Sequence, residues 1–376
     1  MRKIIYVSGT RADFGLMEST LQLAANHPKL DVSLCVTGMH LSPSFGETVE
    51  EIEQAGLPIC GRIPVDIEQT SGASMARAIG DELRGMVDLF EKEQPDIVLI
   101  LGDRGEQLAG ALAAIHLNIP VAHLHGGERS GTVDEPVRHA ISKLAHYHFV
   151  STQGSKERLI RMGERENHIF IAGAPGLDGL QEIAQRPRKE LCQEHNLNPD
   201  QPVALTLFHP VLQEAGQAAH QTEQLMEALM DCSLQVLALM PNADAGGNSI
   251  REVLERYRDR PAVQLVTHLP RTDFVSWMAA ADVMVGNSSS GIIEAATFGL
   301  PVVNIGTRQI GREQSGNVTD VPADRSAIIR AVTNALENGK LSIKNVYGDG
   351  QSGQRIVDLL MTLPLTPELL RKSNAY

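Results

Sequence analysis

The chain has 376 residues, of which 42% are hydrophobic, 21% charged and 4% aromatic, with a formal net charge of −13. That length suits two α/β domains of roughly 100–200 residues each. The acidic balance argues against non-specific binding to nucleic acid or anionic lipid, and the scarcity of aromatics argues against a base-stacking surface, so an anionic small ligand would need a locally basic pocket.

No run approaches the roughly 18 apolar residues of a membrane span. The opening MRKIIYV is too short for a signal peptide and reads as a first strand. Cys35, Cys60, Cys192 and Cys232 are scattered without a CxxC, the usage of reduced thiols in a cytoplasmic protein.

Residues 2–8 form an apolar strand that turns at Ser8-Gly9-Thr10-Arg11-Ala12-Asp13-Phe14-Gly15, and a helix follows over 16–26. A strand over 31–37 ends at Gly38-Met39-His40. After a mobile-looking stretch holding Gly46 and Gly72, a helix over 73–92 leads into the strand DIVLIL (96–101), which stops abruptly on Gly102-Asp103-Arg104. A nearly uncharged helix over 107–116 connects it to the short strand PVAHLH (120–125), which stops on Gly126-Gly127-Glu128-Arg129. Residues 139–149 continue as helix and strand, and a short strand over 168–172 precedes Gly173-Ala174-Pro175-Gly176.

From 177 to 202 the composition turns polar, helical and Pro-punctuated, which reads as a linker. A second series follows, with strands over 203–208, 235–240, 263–266, 282–285 and 301–305. Each ends in a polar turn: His209-Pro210, Pro241-Asn242-Ala243-Asp244, His268-Leu269-Pro270, Gly286-Asn287-Ser288-Ser289-Ser290-Gly291 and Gly306-Thr307-Arg308. Strand-then-helix order with Gly-rich turns predicts doubly wound parallel sheets of the α/β class. The expected division is an N-terminal Rossmann-like domain over 1–180, a C-terminal one over 181–360 and a tail over 361–376, with the ligand in the cleft between the domains.

Chemistry in such sheets gathers at the carboxyl ends of strands. GNSSSGIIEAATFG (286–299) runs from a strand into a hydroxyl-rich turn and a helix starting near Ser289. It reads either as a phosphate site, with Glu294 placed for ribose hydroxyls, or as an ordinary Ser cap on a buried helix. The turn carrying Arg11 and Asp13 is either functional or a plain β–α turn with an exposed salt bridge. GDGQSG (348–353) matches GxGxxG but lacks the preceding strand and the βαβ context of a dinucleotide site, and reads instead as the start of a helix over 355–361.

Asp103, Glu128 and Asp134 are the acid–base candidates; the alternative is a set of caps and partners for Arg104, Arg129 and Arg138. His123 with His125, and His146 with His148, alternate along strands. They read more readily as core or turn residues than as zinc ligands, because no third ligand is evident. His209 stands at a strand end, either as a turn residue or as a phosphate or proton partner.

The set SGTRADFG, GDR, HGGERSGTVDEPVRHAISKLAH, FHPV, PNADAG, GNSSSG with IIE, and GTRQIGRE resembles the UDP-hydrolysing UDP-N-acetylglucosamine 2-epimerases, which open sialic and related nonulosonic acid pathways. The resemblance runs from the first strand to about Arg355. It implies a glycosyltransferase-B fold and conversion of UDP-GlcNAc and water to UDP and ManNAc, by elimination of UDP to a glycal and hydration with inversion at C2. No metal and no nicotinamide are implied, and a homodimer or homotetramer is expected. By motif position Asp103 and Asp134 match catalytic acids, while Arg11, Arg104, His209, Asn242, Ser288, Ser289, Glu294 and Arg308 match UDP contacts. The diphosphate falls to Ser288, Ser289, His209 and Arg308, the ribose to Glu294, and Leu269 would offer backbone contacts to uracil.

The chain departs from the pattern at His125, where relatives often carry a catalytic Glu. Either His125 or Glu128 takes over its proton transfer, or the change marks another sugar, such as a UDP-2,4-diacetamido-2,4,6-trideoxy-glucose. A non-hydrolysing 2-epimerase, a glycosyltransferase of the same fold and a nucleotide-sugar sensor are the other readings.

Overall fold

The computed structural model describes residues 1–68, 71–242 and 244–376; Ala243, named in the turn after the 235–240 strand, lies outside the described residues. Strands β1 (Arg2–Ser8), β2 (Leu30–Thr37), β3 (Ile59–Ile63), β4 (Ile97–Leu101), β5 (Val121–Leu124), β6 (Tyr147–Val150) and β7 (Ile169–Ile171) pair in parallel in the order β3-β2-β1-β4-β5-β6-β7. A second parallel sheet has β8 (Val203–Leu207), β9 (Gln235–Leu239), β10 (Val263–Val266), β11 (Val283–Gly286), β12 (Val302–Ile305) and β13 (Val318–Val321) in the order β10-β9-β8-β11-β12-β13.

The apolar runs of the sequence become central strands because both faces of each sheet are covered. Side chains alternate between faces with a period of two. In β1, Ile4 and Tyr6 join one core while Ile5 and Val7 join the other; in β4, Ile97, Leu99 and Leu101 face the first core and Val98 and Ile100 the second. The same split occurs in the other domain, where Leu205 and Leu207 lie on one side of β8 and Ala204 on the other.

Three sequence expectations change. First, β3, within the stretch that looked mobile, and β13 are edge strands. Their exposed residues, such as Arg62 and Asp320, leave no apolar run to read. Second, the stretch expected as a linker is helical as read but belongs to a core: Leu180, Leu191 and Cys192 of its two short helices, Leu180–Ile183 and Arg188–Glu194, are core residues of the second domain. Third, the last helix, Ser352–Thr362, returns to the first sheet, where Ile356, Val357 and Leu360 join the core with Leu363 and Leu369. Residues 352–369 therefore pack on the N-terminal domain, and the GxGxxG segment is the start of this helix, where Asp178 accepts from Ser352 N–H at 2.9 Å. Among the described residues no helix is long and apolar enough to cross a membrane.

Strand order reverses between β1 and β4 and again between β8 and β11. At such switch points neighbouring crossovers go to opposite faces and leave a crevice beyond the strand ends. The two crevices face each other.

Candidate functional site

One cleft between the domains is lined by the thirteen residues expected to carry catalysis or UDP binding: Asp103, His125, Glu128, Asp134, His209, Arg11, Arg104, Asn242, Leu269, Ser288, Ser289, Glu294 and Arg308. They come from the C-terminal ends of eight strands or the turns beyond them.

On the first-domain side, Arg11 opens the helix Arg11–Ala25 after β1. Thr10 and Asp13 form a capping box at that helix start, which fixes the turn. Asp13 is thereby a structural residue. It is buried and accepts from Gly9 N at 3.0 Å, Thr10 N at 2.7 Å and Thr10 Oγ1 at 3.0 Å, so the exposed salt bridge considered for this turn does not form. Arg11 instead reaches across the cleft, donating to the Thr267 carbonyl at 2.7 Å.

Beyond β4, Asp103 pairs with the buried Arg138 of the helix Asp134–Leu144. This is the arginine partnership considered as the alternative to catalysis, and it occurs inside the cleft. Burial pushes the Arg138 guanidinium well below its ordinary range, with Arg312, Arg308 and Arg158 adding repulsion. Its Nε and Nη1 are buried without partners among the described residues. Arg104 Nε donates to Glu106 at 2.9 Å, and its Nη1 lies 3.4 Å from Asp244 of the second domain. Burial opposes the Arg104 charge, but Glu106, Asp244 and Asp134 outweigh it and raise its pKa.

His125 and Glu128 form a pair after β5. Glu128 Oε1 lies 2.6 Å from His125 Nδ1 and accepts from Ser151 Oγ at 2.9 Å; Oε2 accepts from Arg312 Nη1 of the second domain at 2.7 Å. Burial would raise the Glu128 carboxyl, but His125, Arg312 and the Ser151 hydrogen bond overcome it and hold it at about 2. With both oxygens engaged, Glu128 is poorly placed to accept a proton. His125 Nε2 is buried and unpartnered among the described residues. The sharp turn here depends on Gly127, with φ of 74°, where a Cβ would sit 2.5 Å from the Ser155 carbonyl oxygen.

His123 does not share that environment. It is buried between Ser142 Oγ at 3.2 Å and the Gly102 carbonyl at 2.7 Å, and burial holds its pKa at about 3. His146 meets Val121 N at 3.1 Å and His148 meets Glu164 at 3.0 Å. Among the described residues no group of three or more His, Cys, Asp or Glu side chains is placed to hold a metal.

The second domain supplies donors. Asn287 clasps the β8 turn, accepting from His209 N–H at 2.7 Å and donating to the His209 carbonyl at 2.8 Å. Arg308 donates to the Asn287 carbonyl at 3.0 Å. This close approach requires Gly286, with φ of 144°, because a Cβ there would lie 1.9 Å from the Leu207 carbonyl oxygen. Ser288 caps the helix Ser289–Ile293, which is shorter than the sequence implied and gives way to a 3-10 turn over Ala295–Phe298. So short a helix has little macrodipole. Positive charge must come mainly from Arg11, Arg104 and Arg308.

Glu294 is buried, and Arg271 Nη2 lies 2.5 Å from its Oε1. The contact is close but not aligned as a hydrogen bond, so Oε1 keeps acceptor capacity for a ligand hydroxyl. Leu269 adds an apolar wall.

Arg138, Arg271 and Arg312 were missed as site residues. Arg138 stood four residues after Asp134, one helical turn away. Arg312 lay in the quoted GTRQIGRE segment, and Arg271 followed the Leu269-Pro270 turn.

Two facing Rossmann-like sheets with polar groups at both switch points define a two-domain protein of glycosyltransferase-B architecture. Over 96% of this chain and 99% of the other, the fold matches that of UDP-GlcNAc 2-epimerase from Neisseria meningitidis bound to UDP-GlcNAc, with a TM-score of 0.81 at 20% identity. Residues 22–361 match the family described as UDP-N-acetylglucosamine 2-epimerase. A UDP-N,N'-diacetylbacillosamine 2-epimerase (hydrolyzing) of Legionella pneumophila is 53% identical over 376 residues, covering the whole of both chains. A GDP/UDP-N,N'-diacetylbacillosamine 2-epimerase (hydrolyzing) of Campylobacter jejuni is 34% identical over 85% of this chain and 84% of its own. The chain belongs to the UDP-N-acetylglucosamine 2-epimerase family.

Proposed function

We propose that the protein hydrolyses a UDP-linked 2-acetamido sugar with inversion at C2, and that its sugar is the 2,4-diacetamido-2,4,6-trideoxy-glucose of UDP-N,N'-diacetylbacillosamine. The observation that carries the reaction class is the division of the cleft. The acid–base candidates Asp103, Asp134 and His125 come from the first sheet, and Ser288, Ser289, His209 and Arg308 come from the second, with Arg11 and Arg104 reaching in from the first. Identity of 53% over the full length to the Legionella protein supports the diacetamido sugar over the UDP-GlcNAc expected first from the sequence. UDP-GlcNAc stays as the second reading, favoured by the N. meningitidis fold match.

In this reading Arg11, Arg104, Arg308, Ser288, Ser289 and His209 hold the diphosphate, Asn242 borders it, Glu294 and Leu269 hold ribose and uracil, and the sugar lies against Asp103, Asp134 and His125. Asp103 takes the C2 proton as the C1–O bond to UDP breaks, and the electron pair becomes the C1=C2 bond of the glycal. Departing charge is met by fixed donors that need no reorganisation. Water then adds at C1, giving its proton to Asp134, while His125 returns a proton to C2 from the opposite face. A group on each face is what inversion requires, and a positioned acid or base typically contributes 10²–10⁴-fold.

The substrate assignment is tested by comparing kcat/KM for UDP-N,N'-diacetylbacillosamine and UDP-GlcNAc at equal enzyme. The diacetamido sugar is expected to be preferred by at least about tenfold, the scale of one lost buried polar contact. Equal or reversed preference returns the assignment to UDP-GlcNAc.

A further inference from the structure

Both carboxylate oxygens of Glu128 are engaged by protein side chains. One oxygen lies 2.6 Å from His125 Nδ1, and the other accepts from Arg312 Nη1 at 2.7 Å. His125 and Glu128 belong to the first domain and Arg312 to the second. The ion pair is closed to solvent, with side-chain exposures of 4% for Glu128 and 8% for Arg312. His125 adopts φ of 60°, a left-handed conformation that is unfavourable for a side chain of this size. Its Nε2 has no partner among the described residues, in a side chain that lines the cleft.

We infer that Arg312 is a positioning residue for proton transfer at His125, acting through Glu128, and that it makes this transfer depend on the two domains meeting. The inference rests on the role of His125 in the proposed reaction. A carboxylate held at one oxygen by a guanidinium cannot swing away from the ring at its other oxygen. Nδ1–H then donates to Glu128, and the exchangeable proton of the imidazolium is confined to Nε2, on the cleft side. Ser151 Oγ, 2.9 Å from the same Glu128 oxygen, steadies the arrangement from within the first domain, but it carries no charge. When the domains part, Arg312 leaves with the second, and Glu128 keeps a neutral hydroxyl in place of its cation. The proton-transfer group of the first domain is thus complete only while the second is seated on it.

A buried ion pair could also serve stability alone, so the test reads the ring directly. In the full-length protein, His125 is followed by ¹⁵N imidazole NMR in the UDP complex, with kcat, KM and UDP affinity measured alongside. Arg312→Met is expected to lower kcat by about tenfold or more, leave UDP affinity within about twofold and erase the protonated Nδ1 signature. Arg312→Lys should recover part of kcat. In Glu128→Gln, the amide oxygen turns to Arg312 and the NH₂ to His125, so the neutral ring takes its proton on Nε2 instead of Nδ1. Adding Arg312→Met to Glu128→Gln should cost no more than about threefold further, because the path is already cut.

An unchanged ring signal in Arg312→Met, a loss confined to UDP affinity, or independent multiplication in the double variant would overturn the inference. If the wild-type chain turned over neither UDP-sugar, the proposed reaction would fall. The ring signal of Arg312→Met in the UDP complex would still decide the positioning role, a changed signal supporting it and an unchanged one overturning it.

Discussion

The backbone N–H of Asn242 donates to His209 Nδ1 at 3.3 Å, which leaves the ring proton of His209 on Nε2. Burial, and then the charges of Arg308, Arg11 and Arg104, push the His209 pKa well below its ordinary 6.5, so the ring is neutral near pH 7. In the proposed reading it would serve the diphosphate as an N–H donor and not as a cation. His209→Ala should weaken UDP binding by about 1.5–3 kcal/mol, the usual range for a hydrogen bond to a charged group. The ratio of wild-type to variant affinity should stay flat between about pH 6.5 and 8.5, because a ring neutral throughout that window neither gains nor loses a proton. Calorimetry over that range checks both; a ratio that grows toward acid pH would mean His209 binds as imidazolium.

Arg308 is half-buried in the turn after β12, and desolvation lowers its pKa against the pull of Asp134 and Asp244. Arg308→Ala should weaken UDP binding by about 2–5 kcal/mol. Arg308→Lys should restore only part of that, because an ammonium cannot donate to the Asn287 carbonyl and the phosphate in the same fixed plane. Unaltered UDP affinity in the alanine variant would place Arg308 outside the site.

Asp103→Asn should abolish turnover and leave UDP affinity nearly intact, because the proposed role of Asp103 is at the sugar. The same change removes the counter-charge of buried Arg138, and losing one partner of such a pair costs about 3–5 kcal/mol. Thermal denaturation should therefore show a lower Tm alongside the lost activity. Turnover at the wild-type rate would remove Asp103 from the mechanism.

Acid sensitivity should come in part from Glu164. Its burial would raise the carboxyl, but His148, Lys143 and Lys372 outweigh that and hold it at about 2 against an ordinary 4.5. The folded pKa lies below the unfolded one, so this contribution is complete above about pH 4.5 and is lost as pH falls toward 2; the shift corresponds to about 3 kcal/mol. Lys372 joins the C-terminal tail to this carboxylate and to the Ser142 carbonyl at 2.9 Å. Denaturant titrations at pH 7 and pH 3 should show Glu164→Gln losing less stability on acidification than the wild type. Equal losses would exclude Glu164 as a source.

Much of this was legible in the sequence because its causes are local. Strand β4 announced itself through five consecutive apolar residues buried on both faces, and the polar turns after β4, β5, β8 and β11 marked the cleft. What stayed hidden depends on distant partners. Edge strands β3 and β13 carry no buried run, and the return of helix Ser352–Thr362 to the first sheet is set by packing against a helix more than 300 residues earlier. Glu128 was a catalytic candidate in the sequence because nothing near it there reveals Arg312, 184 positions away, occupying its second oxygen.

In the proposed reaction one cleft eliminates UDP across C1–C2 and rehydrates the glycal from the other face. A proton NMR time course with UDP-N,N'-diacetylbacillosamine in D₂O tests it most directly. Free UDP and a free 2-epimerised sugar carrying deuterium at C2 are expected to appear at equal rates. Release of a sugar that keeps its C2 proton, or a 2-epimer still linked to UDP, would contradict it.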